Sequence, residues 1–315
     1  MAVKSHNTYV AYSWESSYAD GGSPFTIPFG PNLSFDASPS RNSERVTNLN
    51  ERNAYTVVSK NYAGAWNAEF DLVNGWWARA VLGSAPVTSG SPNYVHTYKE
   101  ANTVPSMAIE DAINLPTDRS RIIKGAKVQT ARITAAVGEK ARVSLTGVYA
   151  DEEKTTTLQS SPPTDSDPPF TFVQGQLVQN GSTIAQVDSV EIEVNNNVDL
   201  EHALNSDKAI AAVEGPREYN VTCTVKVHDD EQLEKFFGGS GSPISTVTPY
   251  ATLVLKFDNG QADTSQRTLQ INLGSVYPDT YKNAHAPGEV EKEEINLIAC
   301  YCGSITYQNA GSPAQ

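Results

Sequence analysis

Cysteine is scarce in this chain, and the three present exclude more than they suggest. Cys223, Cys300 and Cys302 are odd in number and have no zinc-type spacing. Cys300 and Cys302, one residue apart, should point to the same face of an extended strand. A secreted disulfide framework is therefore not expected, and reduced core thiols are. Long apolar runs are missing too: Met1 to Asn7 has no apolar signal core, and no stretch approaches a membrane span. The expectation is a soluble protein assembled in the cytoplasm. Basic residues are outnumbered, 23 Lys and Arg against 36 Asp and Glu, for a formal charge of −13. A protein that binds nucleic acid by neutralising phosphates needs the opposite balance. Solubility alone explains the acidity equally well.

Catalytic and metal-binding signatures are also lacking. The five histidines (His6, His96, His202, His228, His285) form no His-x-His or His-x-x-x-His pair. His228 lies five residues past Cys223, a spacing that fits a strand end and a helix start. Gly238-Gly239-Ser240-Gly241-Ser242 has neither the lysine nor the strand-to-helix setting of a phosphate loop. Asp229-Asp230-Glu231 reads as acidic residues at a helix start, where the dipole favours them, rather than as a metal site. No Gly-x-Ser-x-Gly elbow occurs. The expected catalytic, cofactor-binding and metal residues are none, and the chain reads as a building block.

What the sequence does have is the same pattern twice, about 155 residues apart. Asn50 to Val58 aligns without gaps on Asn205 to Val213, with three of nine positions identical. Each copy then runs into an alternating strand (Ala65–Leu72; Tyr219–Val227), a short helix (Gly75–Leu82; Asp230–Phe237) and a glycine stop, Gly83 or Gly238. Solenoid units run at roughly 20–50 residues, so a period this long means a duplicated domain. A chance likeness between two β-rich domains is the alternative; order, spacing and the helix-ending glycines agree in favouring duplication. A chain of 315 residues fits two domains of about 150.

The expected layout is an aromatic N-terminal arm at 1–30, a first domain at 31–154, a Pro/Ser/Thr-rich linker or exposed loop at 155–169, a second domain at 170–303 and a loose tail at 304–315. The arm, with Tyr9, Tyr12, Trp14, Tyr18, Phe25 and Phe29, docks either on a neighbour or on its own domain. Residues 38–53 read as a long polar loop. Tyr55 to Val58 and Trp66 to Phe70 read as half-buried strands, and Ala126 to Ala136 with Ala141 to Tyr149 as a hairpin around Gly138. In the second copy, Val190 to Val194, Tyr250 to Phe257, Arg267 to Leu273 and Glu294 to Tyr301 are strands, the last parallel to Arg142–Tyr149. The fold class is all-β, mainly antiparallel, with one short helix per domain.

Two segments carry a family resemblance. Trp66-Asn67-Ala68-Glu69-Phe70-Asp71 running into Trp76-Trp77-Ala78-Arg79-Ala80-Val81-Leu82-Gly83, and Val143-Ser144-Leu145-Thr146-Gly147-Val148-Tyr149-Ala150-Asp151, resemble tail-tube proteins of long-tailed (siphovirus-like) bacteriophages, of the kind with a duplicated tail-tube domain. The resemblance covers roughly residues 25–308. It implies a β-sandwich or half-barrel with a flanking helix, two tail-tube-like domains in tandem, and no catalytic residues, cofactor or metal. It further implies homotrimeric, pseudo-hexameric rings stacked into a virion tail tube. The implied partners are the chain itself, a tape-measure protein, a tail terminator and baseplate or tail-tip proteins. Double-stranded DNA would pass through the lumen during genome ejection without specific binding, and no membrane is involved. The expected bore is net negative, lined by Ala126–Ala136, Ala141–Tyr149, Thr252–Phe257, Thr268–Leu273 and Val290–Tyr301. Those strands carry Glu139, Asp258, Glu291, Glu293 and Glu294 but also Lys127, Arg132, Arg142, Lys256 and Arg267, the basic ones expected at ring interfaces. The arm and the 38–53 loop are the expected contacts between rings. The competing readings are a tandem β-sandwich binding or adhesion module, another virion protein, and an enzyme on a β-sandwich.

Overall fold

The computed structural model describes residues 8–310 apart from 54–55, 92, 185, 240, 245–248, 263–264, 286 and 289. The chain is mostly antiparallel β-sheet with two short α-helices. The first half runs β1 (Thr8–Trp14), β2 (Ile27–Pro28), β3 (Ser34–Ser40), β4 (Ser43–Val46), β5 (Thr56–Ser59), β6 (Ala63–Asp71), α1 (Ala78–Leu82), β7 (Val87–Ser89), β8 (Asn93–Tyr98), β9 (Met107–Ile113), β10 (Arg119–Ala136), β11 (Arg142–Tyr149) and β12 (Asp151–Thr155). The second runs β13 (Gly175–Gln179), β14 (Ser182–Thr183), β15 (Val187–Asn195), β16 (Val198–Glu201), β17 (Ala211–Glu214), β18 (Glu218–Lys226), α2 (Glu231–Phe237), β19 (Tyr250–Asp258), β20 (Thr268–Ala284) and β21 (Lys292–Ala310).

The strand pairings recur. In the first half β1 pairs with β2 and β9, β9 with β10, β10 with β11, β11 with β6, β6 with β3, and β4 with β5. In the second half β13 pairs with β14 and β19, β19 with β20, β20 with β21, β21 with β18, β18 with β15, and β16 with β17. Adding 155 to β4, β5 and β6 gives the bounds of β16, β17 and β18. Past the helices the offset is 150: the pair Lys127↔Val148 becomes Tyr277↔Ile298, and the register shift after Val128 recurs after Pro278. Backbone exceptions follow suit. Asn42 and Asn197, Asn50 and Asn205, and Gly83 and Gly238 all have positive φ, and so do Gly125 and Ser275, where the two longest-running ladders bend.

Two ladders join the halves, β10 with β15 and β8 with the far end of β21, and the first gives the order β3-β6-β11-β10-β15-β18-β21-β20. Period-two alternation sets its faces. Phe70, Val143, Leu145, Ile133, Ile192, Val221 and Ile295 turn inward and are buried, in a single large cluster that also takes in Trp76, Trp77 and Tyr307. Burying the two indoles and the aliphatic faces around them is the dominant stabilising term.

Several expectations are corrected by these pairings. Of the two dockings expected for the arm, residues 8–30 take the one on their own chain: β1 pairs along its whole length with β9, and Tyr12, Phe25 and Phe29 are buried. Of that arm, residues 1–7 lie outside the described residues. Residues 304–310 are not a tail, because β21 continues through them between β8 and β20. The 38–53 loop contains β4 and the end of β3, and β5 is exposed throughout rather than half-buried. Ala54 and Tyr55 lie outside the described residues. The 155–169 segment is docked. Asp165 accepts from Asn74 Nδ2 at 2.7 Å, Asp167 pairs with Arg267 at 3.2 Å, and Gln159 N donates to the Tyr9 hydroxyl at 2.8 Å. Cys300 and Cys302 do not share a face: alternation slips at Cys300–Tyr301, beside left-handed Ser275, leaving Cys300 exposed and Cys302 buried. The strand repeat also sets Lys292, rather than Glu294, at the position of Arg142.

Candidate functional site

The face of the eight-strand ladder that turns away from the core is a continuous, mainly polar surface built from regular strands. It consists of every second residue: Asn67 and Glu69 on β6, Arg142, Ser144 and Thr146 on β11, Thr130, Arg132 and Thr134 on β10. Glu191 and Glu193 follow on β15, Asn220 and Thr222 on β18, Glu294 and Asn296 on β21, and Thr280 and Lys282 on β20. Threonine and asparagine fit here because a pleated surface accepts β-branched side chains while the hydroxyls and amides stay solvated. Thr222 Oγ1 bonds Asn296 at 2.7 Å, and Asn296 Nδ2 donates to Thr280 at 2.7 Å, so the polar row is cross-linked from strand to strand.

The arginines on this face are paired, while Lys282 and Glu294 form no ion pair among the described residues. Arg132 reaches Glu193 at 2.5 Å and Glu191 at 3.6 Å, across the seam between the halves. The Glu193 carboxylate raises the guanidinium's pKa above its ordinary value, chiefly through their hydrogen bond. Arg142 pairs with Glu69, and Lys292 reaches Asp188 at 2.6 Å. Three residues expected on a polar strand face are elsewhere. Glu293 is buried, with its carboxyl pushed up by desolvation. Lys127 is buried under β17 and donates to Ala212 O at 2.8 Å and to Glu214 at 2.7 Å. Arg267 is buried and donates to the carbonyls of Val73 and Pro168. Lys256 lies 3.3 Å from Asp258 on β19, outside the eight-strand ladder. The face therefore carries acids and bases in near balance, without the basic stripe that would hold a phosphate backbone.

The seam is the second feature. The β16–β17 hairpin of the second half lies on the first half. Besides the Lys127 contacts, Lys208 Nζ meets Asp151 at 2.7 Å and Tyr62 N donates to Asp207 O at 2.5 Å. Burial raises the Glu214 carboxyl's pKa, but the Lys127 ammonium and the Val104 N–H outweigh it and hold it below its ordinary value. Sequence reading located the repeat but not this clasp, whose only signal was the alanines at 209, 211 and 212, small enough to let the hairpin lie close on the first half.

Elsewhere, Asp229 accepts from Glu231 N at 3.0 Å, a local turn at the start of α2. Among the described residues no group of three or more His, Cys, Asp or Glu is placed to hold a metal ion. No helix among them is long and apolar enough to cross a membrane, which says nothing of strands. Compared with known families, the chain matches the one described as phage tail tube protein over residues 5–297. No curated protein matches it.

Proposed function

The chain belongs to the phage tail tube protein family, structural proteins of the virion tail that assemble into a tube, and from that premise we propose that three copies close each ring. The carrying observation is the recurring pairing scheme. One chain supplies β3-β6-β11-β10 and then β15-β18-β21-β20, two tube domains joined edge to edge, so three chains make a pseudo-sixfold ring. The first domain spans the strands up to β12 and the second those from β13, the docked 155–169 segment carrying the chain across. Rings stack into a non-contractile tube of the siphovirus kind, assembled in the host cytoplasm around a tape-measure protein between tail-tip and terminator proteins.

The polar ladder faces the bore and lets DNA pass during ejection. Arg132, Arg142 and Lys292 are neutralised by neighbouring carboxylates and Lys282 stands singly, so no row of free positive charge slows the duplex. A net negative bore then follows from the acidic remainder outside those pairs. Contacts between rings fall to the hairpin tips, where Leu49 and Leu204, again 155 apart, are almost fully exposed. Electron microscopy and mass measurement of purified protein test this reading. Tubes or rings of three chains support it, and a ring of six full-length chains refutes the pseudo-sixfold arrangement. Leu49→Asp with Leu204→Asp should yield rings that do not stack.

A further inference from the structure

Resting on that self-assembling reading, we propose the residue register by which one copy joins the next. The edge of β3 pairs antiparallel with residues 280–284 of β20 in a second copy, as β15 pairs with β10 inside the chain. Both edges are open: among the described residues β3 pairs only with β6, and beyond Val276 β20 pairs only with β21. Their counterparts are the two strands of the seam. Subtracting 155 from Ser189–Asn195 of β15 gives Ser34–Ser40, the bounds of β3. Adding 150 to Thr130–Thr134 of β10 gives Thr280–Ala284.

The seam pairs Arg132 with Glu193 and Thr134 with Glu191, so the inferred contact sets Lys282 opposite Ser38 and Ala284 opposite Asp36. Charge agrees with this register. Inside the chain Arg132 bridges both carboxylates of β15. Across the inferred contact exposed Lys282, which forms no ion pair among the described residues, meets exposed Asp36 on the diagonal. Pro39 gives up at most one ladder hydrogen bond.

Apolar surface agrees as well. On the first half, Lys127 and Asp151 are covered by the β16–β17 hairpin. Their counterparts on the second half are Tyr277 and Tyr301, which with Ile298 form an exposed apolar patch. The counterpart of the covering hairpin is β4–β5, and it presents exposed Val57 and Val58. The chain thus carries an uncovered hairpin at one end and an uncovered seat at the other, a head-to-tail pair that only a further copy fills.

Mixing two variants tests the register, both in a Cys300→Ser background: one chain carrying Ser38→Cys, the other Lys282→Cys. Both positions are exposed, and circular dichroism checks that the variants fold. Mild oxidation of the assembled mixture should give a covalent dimer in roughly tenfold higher yield than Ser38→Cys mixed with Asn283→Cys, because a one-residue slip turns the thiols to opposite faces. Tubes that form without the Ser38–Lys282 bridge, or with the slipped bridge favoured, overturn the register and leave the tube reading standing. Failure of the unmodified chain to associate, even with tail-tip protein added as initiator, overturns both. As a second measurement, Lys282→Asp and Asp36→Lys should each slow assembly severalfold and, combined in one chain, restore it, since every contact of a three-chain ring then pairs the swapped charges; a double variant that stays as slow as either single one overturns the register.

Discussion

The hairpins β4–β5 and β16–β17 occupy the same place in the repeated pairing scheme, yet one is bare and the other is covered. Val57 is 60% exposed where its counterpart Ala212 is 5% exposed, and Ser43 is exposed where Val198 is buried. The covered hairpin is held by a buried Lys127–Glu214 pair; at the bare one the matching residues are Tyr277 and Ser59. The backbone is common to both, down to the corner that launches each hairpin. Asn42 N donates to the Ser40 hydroxyl at 3.2 Å, and Asn197 N donates to the Asn195 amide oxygen at 3.0 Å. What differs is the partner surface. Within one chain a hairpin can rest on a permanent neighbour and be polar at its base, whereas on the inferred contact the bare hairpin brings its valines to another copy. The difference teaches where the folded chain ends and assembly begins.

The sharpest way to break the correspondence lies at the base of the two central ladders. Gly64 faces Tyr149 in the first half, and Tyr219 faces Ala299 in the second: the large residue has changed strands. A Cβ on Gly64 would sit 1.9 Å from the Tyr149 ring. Gly64→Val should therefore cost about 4 kcal/mol of stability, beyond the usual range for overpacking because the ring has nowhere to move. Gly64→Tyr combined with Tyr149→Ala should recover about half of that loss, since it reproduces the second-half pair. Recovery stays partial because Tyr149→Ala also removes the hydroxyl's bonds to Glu152 and Arg121, where Tyr219 keeps its own to Glu100 at 2.5 Å. Urea midpoints read both, and an undiminished midpoint for Gly64→Val would show that the two ladders are not packed as described.

The clasp comes next. Lys127→Ala leaves the Glu214 carboxylate buried without its cation, an expected loss of about 3 kcal/mol. The matching Tyr277→Ala removes only an exposed ring and should leave the isolated chain within about 0.5 kcal/mol. The sign with pH is set by Glu214, whose folded pKa is lowered. Its stabilising contribution is present above the ordinary carboxylate range and fades as pH falls through and below it. Unfolding midpoints measured between pH 7 and pH 3 should fall less steeply in Glu214→Gln than in the unaltered chain. Equal slopes would remove the ion pair from the account of the seam.

Corners give a smaller effect. Asn197→Ala forces an alanine to φ 48° and removes the Nδ2 bond to Pro216 O at 2.7 Å; Asn42→Ala does the same at φ 44° and loses Asn61. Each should cost about 1–2 kcal/mol, the left-handed penalty. Asn197→Ala should be the worse because its hairpin carries the clasp. The reverse order, in unfolding midpoints, would mean that the bare hairpin already has a partner within the chain.

These asparagines also mark how much the sequence revealed. The repeat was legible from Asn50 to Val58 against Asn205 to Val213 and from Gly83 against Gly238, because backbone exceptions demand particular residues. Period-two alternation exposed β6, β11, β15 and β18, each buried on one face only. It found β5 but gave it a buried face that the strand does not have, and it missed the end of β21, whose last partner, β8, lies some two hundred residues away. The docked 155–169 segment was unreadable for a related reason. Asp165 and Asp167 look like solvated loop residues until Asn74 and Arg267 are brought beside them by the fold. The polar face was predicted by strand, but Lys127, Arg267 and Glu293 were assigned to it wrongly, because charge alone does not say which side of a β-strand a residue takes.

The smallest expected effect on the single chain is the most telling about its use. Val57→Asp puts a charge on a side chain that is already mostly in water, so the unfolding free energy of the isolated chain should move by less than about 0.5 kcal/mol. Ala212→Asp puts the same charge at the same place in the repeat, but under the clasp against Lys127, and should cost about 2–3 kcal/mol because the carboxylate loses its water. Assembly reverses the order. If β4–β5 seats on Tyr277, Ile298 and Tyr301 of another copy, the aspartate at 57 meets an apolar floor once per chain in every ring, and polymerisation should fall at least roughly tenfold while the fold is untouched. Light scattering of matched concentrations reads the loss, and urea titration of the same samples reads stability. A Val57→Asp chain that polymerises normally would mean that the bare hairpin is an ornament of the tube wall, and the likeness between the two hairpins would then stop at their backbones.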